Sequence, residues 1–344
     1  MNKILVTGGA GFVGSHVVEY YANKGNEVIC FDNLSRGELL GKNINTDYNW
    51  NFLKKIKNVK LVKKDIRNYE DLEKESKNVD TIIHTAGQTA VTTSVTKPKN
   101  DFDVNALGTF NVLEAARKND IESVIFCSTN KVYGNNVNKI KVNEEEKRYN
   151  FEGKFKDGIP EKFPTDLCEH TPYGCSKLAA DIYTQDYAHL HGIKTGVFRM
   201  SCIYGTRQFG VEDQGWVAWF TIATILGKPI TIYGDGKQVR DVLFVSDLID
   251  AFDRFINGNL KHGVFNIGGG PENTMSLLEL LDILEEITGK KSKLSFDNWR
   301  PSDQKVYISN IKEIENKLRW KPKVKPKEGV RKLANWVSKN DGEF

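Results

Sequence analysis

Lys3-Ile4-Leu5-Val6-Thr7-Gly8-Gly9-Ala10-Gly11-Phe12-Val13-Gly14 decides how the chain folds. Lys3 to Thr7 is a short apolar run of strand character, and a helical pattern follows the glycines as far as Lys24. Gly25-Asn26 breaks that pattern, and Val28-Ile29-Cys30-Phe31 reads as a second strand closed by Asp32. Strand, glycine loop, helix, strand and terminal acid in this order form the local setting of a dinucleotide site. Gly8 permits the tight turn out of the strand. Gly11 lets the backbone approach a pyrophosphate at the helix N-terminus, with Phe12 and Val13 beside it, and Gly14 lets helix and strand pack closely. Asp32 is placed to accept hydrogen bonds from an adenosine ribose diol and to repel a 2′-phosphate, which favours NAD over NADP. Asn33 and Ser35 join the expected cofactor contacts, as does Arg36, whose charge works against that preference.

The alternation continues. Val59 to Lys64, Asp80 to Ala86, Ser123 to Cys127 and Thr195 to Met200 read as strands separated by helical segments, the pattern of a parallel sheet with helices on both faces. Residues 35–58 are a polar insertion with a helix expected around 50–56. Asp65-Ile66 closes the third strand, where the acid reads either as a contact to the adenine amino group or as an ordinary strand-end carboxylate. Ala86-Gly87-Gln88 follows the fourth strand with small residues that let a cofactor approach, and Asn105 lies in the next helix. After residue 200 the pattern changes to short strands at 230–233, 240–245 and 264–267 with longer loops. The expectation is a Rossmann-type, doubly wound parallel α/β sheet over 1–200, with contributions from about 240–265, and a smaller interleaved C-terminal substrate lobe over 201–344.

A second stretch carries chemistry. In Thr171-Pro172-Tyr173-Gly174-Cys175-Ser176-Lys177 a tyrosine precedes a lysine by one helical turn, so both side chains share a face. A phenolate at Tyr173 can take a hydroxyl proton while hydride leaves the same carbon. An ammonium at Lys177 favours that phenolate. Thr129, at the carboxyl end of the fifth strand, reads either as a partner for the reacting hydroxyl or as a helix cap or turn residue. Arg240 and Arg300 read either as phosphate contacts, since a guanidinium binds phosphate oxygens bidentately, or as surface salt bridges.

Composition bounds the partners. The 49 basic and 45 acidic residues among 344 leave a net charge of +4 with no basic stripe, which argues against nucleic acid. The five cysteines form no C-x-x-C pair, so free thiols in a reducing, cytoplasmic setting are expected. The N-terminus already reads as a strand rather than a signal peptide, no apolar run approaches the eighteen or so residues of a membrane span, and no metal-ligand cluster stands out.

Gly8 to Gly14, Asp32, Thr129, Tyr173 and Lys177 together resemble the extended short-chain dehydrogenase/reductase family, the nucleotide-sugar epimerases and dehydratases. The likeness covers nearly the whole chain and includes Arg240-Asp241-Val242, Phe265-Asn266-Ile267-Gly268 and Arg300-Pro301-Ser302-Asp303. Within the family, Ser128 to Gly134, Arg207-Gln208-Phe209, Asp213 to Val217 and Gly236 to Asp241 are similar to the branch that epimerises CDP-3,6-dideoxyhexoses at C2. The 4,6-dehydratases carry Asp-Glu directly after the catalytic threonine. Asn130-Lys131 stands here instead, so the acid that would eliminate water is absent. The resemblance implies a tightly held NAD, Tyr173 as base, Thr129 on the substrate oxygen, and Lys177 supporting Tyr173 and binding the nicotinamide ribose. It implies a CDP-sugar substrate, used in surface-polysaccharide precursor synthesis, with contacts from Asn130, Ser201, Arg207, Gln208, Gln214, Arg240, Arg300 and Asp303. It also implies a homo-oligomer, dimer or tetramer, built on helices near 104–118 and 174–191.

Overall fold

The structure is a computed structural model in which residues 2–40, 47–300 and 303–344 are described. Pro301 and Ser302, and part of the 35–58 insertion, lie outside the described residues. The chain divides into two compact units, Met1–Val132 with Thr171–Arg199 and Ile249–Phe265, and Tyr133–His170 with Met200–Leu248 and Asn266–Phe344. The 135–169 insertion thus belongs to the second unit, although the sequence boundary placed it in the first.

The first unit is organised on a seven-stranded sheet of β1 (Lys3–Thr7), β2 (Glu27–Asp32), β3 (Val59–Lys63), β4 (Thr81–His84), β5 (Ser123–Thr129), β6 (Lys194–Met200) and β7 (His262–Ile267). The strand order is β7-β6-β5-β4-β1-β2-β3. β1 pairs in parallel with β2 and β4, β2 with β3, and β4 with β5. The order reverses between β1 and β4, and the crevice at such a reversal is where doubly wound sheets bind ligands. Strands covered on both faces read as unbroken apolar runs. Accordingly Val28, Ile29, Cys30 and Phe31 are all buried. Leu5, Ile29, Val62, Ile82 and Val124 form one cluster with Val112, Leu113 and Ala116 of the helix Gly108–Lys118. That burial supplies the main driving force, at roughly 25 cal/mol per Å² of apolar surface.

Two helices position the site. α1 (Phe12–Asn23) starts directly from the glycine loop. α2 (Pro172–His191) starts at Pro172, where a missing N–H costs nothing, and Thr171 caps it by accepting from the Gly174 N–H at 3.3 Å. Gly192, at φ +69°, ends it in the left-handed region.

In the second unit the strand Val239–Phe244 is central. It pairs with Thr274–Ser276 antiparallel, and with Val306–Tyr307 and Cys202–Tyr204 in parallel. The insertion carries a hairpin, Val142–Glu144 with Tyr149–Phe151, tied down where Arg148 reaches Glu279 at 3.1 Å and the Thr274 hydroxyl at 2.6 Å. No helix among the described residues is long and apolar enough to cross a membrane.

Candidate active site

The glycine loop has the shape a dinucleotide needs. Gly8 has φ +67°, and a Cβ there would stand 2.6 Å from the backbone of Ala86. A Cβ on Gly14 would overlap the Gly8 carbonyl oxygen. Both positions therefore require glycine for close approach, of β1 to the end of β4 and of α1 to β1. Gly11 caps α1 with no side-chain hydrogen bond, so the first-turn N–H groups, those of Phe12 and Val13 among them, meet no capping side chain. Such donors and the helix dipole favour an anion.

Asp32 ends β2 beside this loop. Its carboxylate accepts from the Ala10 N–H at 3.0 Å and the Leu34 N–H at 2.8 Å. Burial pushes its pKa up, and the backbone N–H groups of Leu34, Ala10 and Gly11 oppose this. An ionised carboxylate has about four acceptor positions, so room remains for ribose hydroxyls. The residues present fit NAD. Asn33 and Ser35 bond each other at 2.7 Å, and Asn33 donates to Asp65 at 2.7 Å. Arg36 opens a short helix and is half-buried, with its pKa drawn down to about 10 by burial. Asp65 is also gripped by Arg67, whose Nε and Nη2 lie 3.0 and 2.7 Å from its oxygens. Burial works against ionisation of Asp65, but Arg67 and Asn33 hold it below the ordinary carboxylate range. An adenine amino group would compete with Arg67 for this carboxylate. Sequence reasoning missed Arg67, although its place two residues after Asp65 is the available signal. Ile66 is buried, and its carbonyl accepts from Asn111.

After β4, Ala86 and Gly87 are half-buried, and a Cβ on Gly87 would lie 3.0 Å from the Asn105 side-chain oxygen. Gln88 and Asn105 face each other rather than open space. The Gln88 N–H donates to Asn105 Oδ1 at 2.9 Å, and Asn105 Nδ2 donates to the Gln88 carbonyl at 2.9 Å. Asp101 and Ser176 complete this buried knot through Gln88 Nε2, at 2.8 Å, and the Ser176 hydroxyl, at 2.5 Å. The knot ties the loop after β4 to the helical turn that carries Lys177.

Tyr173, Lys177 and Thr129 are all buried. Thr129 stands near enough to the phenol to favour its ionised form. Thr129 also donates to Asn130 Oδ1 at 3.4 Å. Lys177 does not turn to the phenol. Its Nζ donates to the Cys127 carbonyl at 2.6 Å and lies 4.2 Å above the Phe126 ring. This corrects the expectation that Lys177 lowers the Tyr173 pKa in the protein alone. Burial dominates and pushes Tyr173 up to about 12, with Thr129 pulling the other way. Burial also draws Lys177 down to about 8.

Beneath the group sits His84, fully buried between Thr7, at 2.6 Å, and Thr109, at 2.9 Å. The Thr109 hydroxyl donates to the Asn105 carbonyl at 2.6 Å, so it must accept from His84 Nε2. The proton then sits on Nε2, and Nδ1 accepts from Thr7. Burial, with the Lys177 charge adding to it, draws the imidazole pKa down from 6.5 to about 3. Between those values the unfolded chain binds a proton that the folded chain refuses. The stability is complete above pH 6.5 and is lost as pH falls toward 3, by on the order of 5 kcal/mol. Urea titrations from pH 7 to pH 4 should show this slope in the wild type and a shallower one in His84→Asn.

In the second unit, Arg207, Gln208 and Gln214 share one loop. Arg207 has φ +59° and is buried, Gln208 is buried, and Gln214 closes a two-bond turn with Val211 at 2.9 Å. Arg240 pairs with Asp303 at 2.7 Å. Arg300 donates to Asp213 at 3.1 Å and stacks 3.9 Å over the Tyr233 ring. Ser201 is committed to Asp241, donating to its carboxylate at 2.5 Å. No group of His, Cys, Asp or Glu among the described residues could hold a metal ion.

Residues 4–268 match the NAD dependent epimerase/dehydratase family. The chain is 43% identical to CDP-paratose 2-epimerase of Salmonella typhi, over 98% of this chain and 99% of that protein. Among solved structures it is similar to UDP-glucose 4-epimerase of Thermotoga maritima with UDP-glucose. The identity is 31%, the TM-score 0.81, and the match covers 98% of this chain and 99% of that one. It is also similar to UDP-glucuronic acid 4-epimerase of Bacillus cereus in complex with UDP-glucuronic acid and NAD. There the identity is 26%, the TM-score 0.82 and the coverage 98% and 99%. A family match over most of the chain, on a sheet whose glycine loop and terminal acid fit the cofactor, places the chain in the NAD-dependent epimerase/dehydratase family.

Proposed function

We propose that this protein inverts C2 of a CDP-linked 3,6-dideoxyhexose, converting CDP-paratose to CDP-tyvelose through a transient 2-keto sugar. The observation that carries the substrate is the 43% identity, end to end, to a protein named for that reaction. Asn130 agrees with it, because an amide after Thr129 cannot serve as the acid that expels water.

Gly8, Gly11 and Gly14 would admit the pyrophosphate to the α1 N-terminus, Asp32 would hold the adenosine ribose, and Lys177 would hold the nicotinamide ribose. NAD, when bound, would supply a hydride acceptor that can return the hydride, together with a positive charge. Tyr173 takes the C2 hydroxyl proton at its phenolic oxygen and gives it back after the sugar has turned. A nearby positive charge lowers a phenol pKa, which offsets the burial that holds Tyr173 at about 12 in the protein alone. Thr129 donates to the phenolate or the keto oxygen. Arg240 and Arg300 supply cationic forks for a diphosphate.

A second reading, inversion of a UDP-hexose at C4, is favoured by the likeness to the Thermotoga maritima enzyme. Incubating the purified protein with CDP-paratose and, separately, with UDP-glucose tests both, followed by NMR without added cofactor. CDP-tyvelose alone is the expected product. UDP-galactose with unchanged CDP-paratose would overturn the assignment in favour of the second reading.

The protein is proposed to work as a homodimer. Phe102, Leu107 and Phe110 are exposed on the segment 98–118, as are Ile182, Tyr183 and Leu190 on α2. Phe110 and Tyr183 pack edge to face with centroids 5.7 Å apart, so the segment and α2 share an apolar contact at the surface. Contiguous exposed apolar surface of this kind marks an interface. Light scattering should give at least twice the 38.9 kDa chain mass. Ile182→Asp with Leu190→Asp should give the monomer.

A further inference from the structure

The last three residues of β5 are tied to α2 one by one. Tyr173, Lys177 and Asp181 are spaced four apart and share a helix face. Tyr173 lies near Thr129, Lys177 donates to the Cys127 carbonyl at 2.6 Å, and Asp181 accepts from the Ser128 hydroxyl at 2.5 Å. The third tie belongs to no step of the reaction. Ser128, Asp181 and Arg199 are 1%, 0% and 6% exposed, so solvent does not compete for them.

Asp181 is itself held fast. Arg199, on β6, meets it as a fork, Nε to Oδ2 at 3.0 Å and Nη2 to Oδ1 at 3.1 Å. Gln185, one turn further along α2, donates to Oδ1 at 2.6 Å. A bidentate guanidinium fixes a carboxylate in plane and in angle. The Ser128 hydroxyl has a single proton to donate, and it goes to this fixed acceptor.

We propose that Asp181 is a positioning residue: clamped by Arg199, its carboxylate holds Ser128 and so keeps the neighbouring Thr129 in its place at the end of β5, beside Tyr173. This rests on the roles given above to Tyr173 and Thr129. Hydroxyl-to-hydroxyl contact is short-ranged, and a displacement of about 1 Å can cost on the order of a hundredfold in rate. A buried ion pair that only joined β6 to α2 would stabilise the fold without affecting where Thr129 stands.

Ser128→Ala separates the two, because it cuts the tie and leaves the Asp181–Arg199 pair whole. The expected result is a kcat lower by about tenfold or more, with KM, bound NAD and melting temperature close to wild type. Ser128→Thr, which keeps the hydroxyl, should restore most of the rate. Crystal structures of wild type and Ser128→Ala should show the Thr129 hydroxyl displaced by about 1 Å or more relative to Tyr173. A kcat within twofold of wild type, or a Thr129 hydroxyl in its wild-type place in that crystal, would overturn the proposal. If the wild type turns over no sugar nucleotide, the reaction assigned above is wrong, and the crystallographic displacement alone decides whether Asp181 positions Thr129. Should Ser128→Ala fail to fold, Ser128→Cys keeps the volume with a weaker donor and is read the same way.

Discussion

Tyr173→Phe should lose turnover by about a thousandfold or more while keeping its fold and its NAD. The phenol is buried, as are Thr129 and Lys177, and Thr129 stands near enough to favour its ionised form. Phenylalanine keeps the ring and removes only the proton acceptor. The structural loss is one hydroxyl, at most about 1 kcal/mol, and Thr129 keeps Asn130 as an acceptor. Lys177 stays on the Cys127 carbonyl, so its position does not depend on the phenol. Product formation followed by NMR gives the rate, and NAD released by acid gives the occupancy. Turnover within tenfold of wild type would exclude Tyr173 as the base. Loss of NAD along with activity would point to a cofactor role in place of proton transfer.

Gly14→Ala should remove NAD and destabilise the protein by about 3 kcal/mol or more. The new methyl would fall on the Gly8 carbonyl, which is backbone and cannot rotate away. Gly8 cannot retreat either, since it is held at φ +67° against the backbone of Ala86. The remaining relief is to lift α1 off β1, which carries the phosphate-binding N–H groups out of place. Gly25→Ala is the control. Gly25 has φ +84° with nothing within 4 Å, so it bears only the backbone cost of about 1 kcal/mol and should retain NAD. Thermal melts of both variants, with their NAD contents, make the comparison. Equal behaviour would mean that the closeness of α1 to β1 is not what glycine protects.

The sheet was legible because its signals are local. Each strand of β1 to β6 announces itself by an apolar run, and the glycine spacing fixes the first turn without reference to anything distant. Tyr173 and Lys177 were legible for the same reason, being one helical turn apart. What the sequence hid are partners that the topology brings from afar. His84 is held by Thr7 and Thr109, and Asp101 by Gln88 and Ser176, and no spacing rule connects them. The direction of Lys177 was hidden as well. A carbonyl at the end of β5 and an aromatic ring capture the ammonium, and both depend on how α2 lies on the sheet. Ser201 looked like a substrate contact in sequence, but Asp241 holds it inside the second unit.

In the proposed reaction hydride leaves C2 and returns to the same carbon. CDP-paratose carrying deuterium at C2, incubated with the purified protein in ordinary water, is the direct test. The expected product is CDP-tyvelose that keeps its deuterium at C2. Exchange of that deuterium for solvent hydrogen would mean that C2 is inverted by proton abstraction, and would rule out hydride transfer.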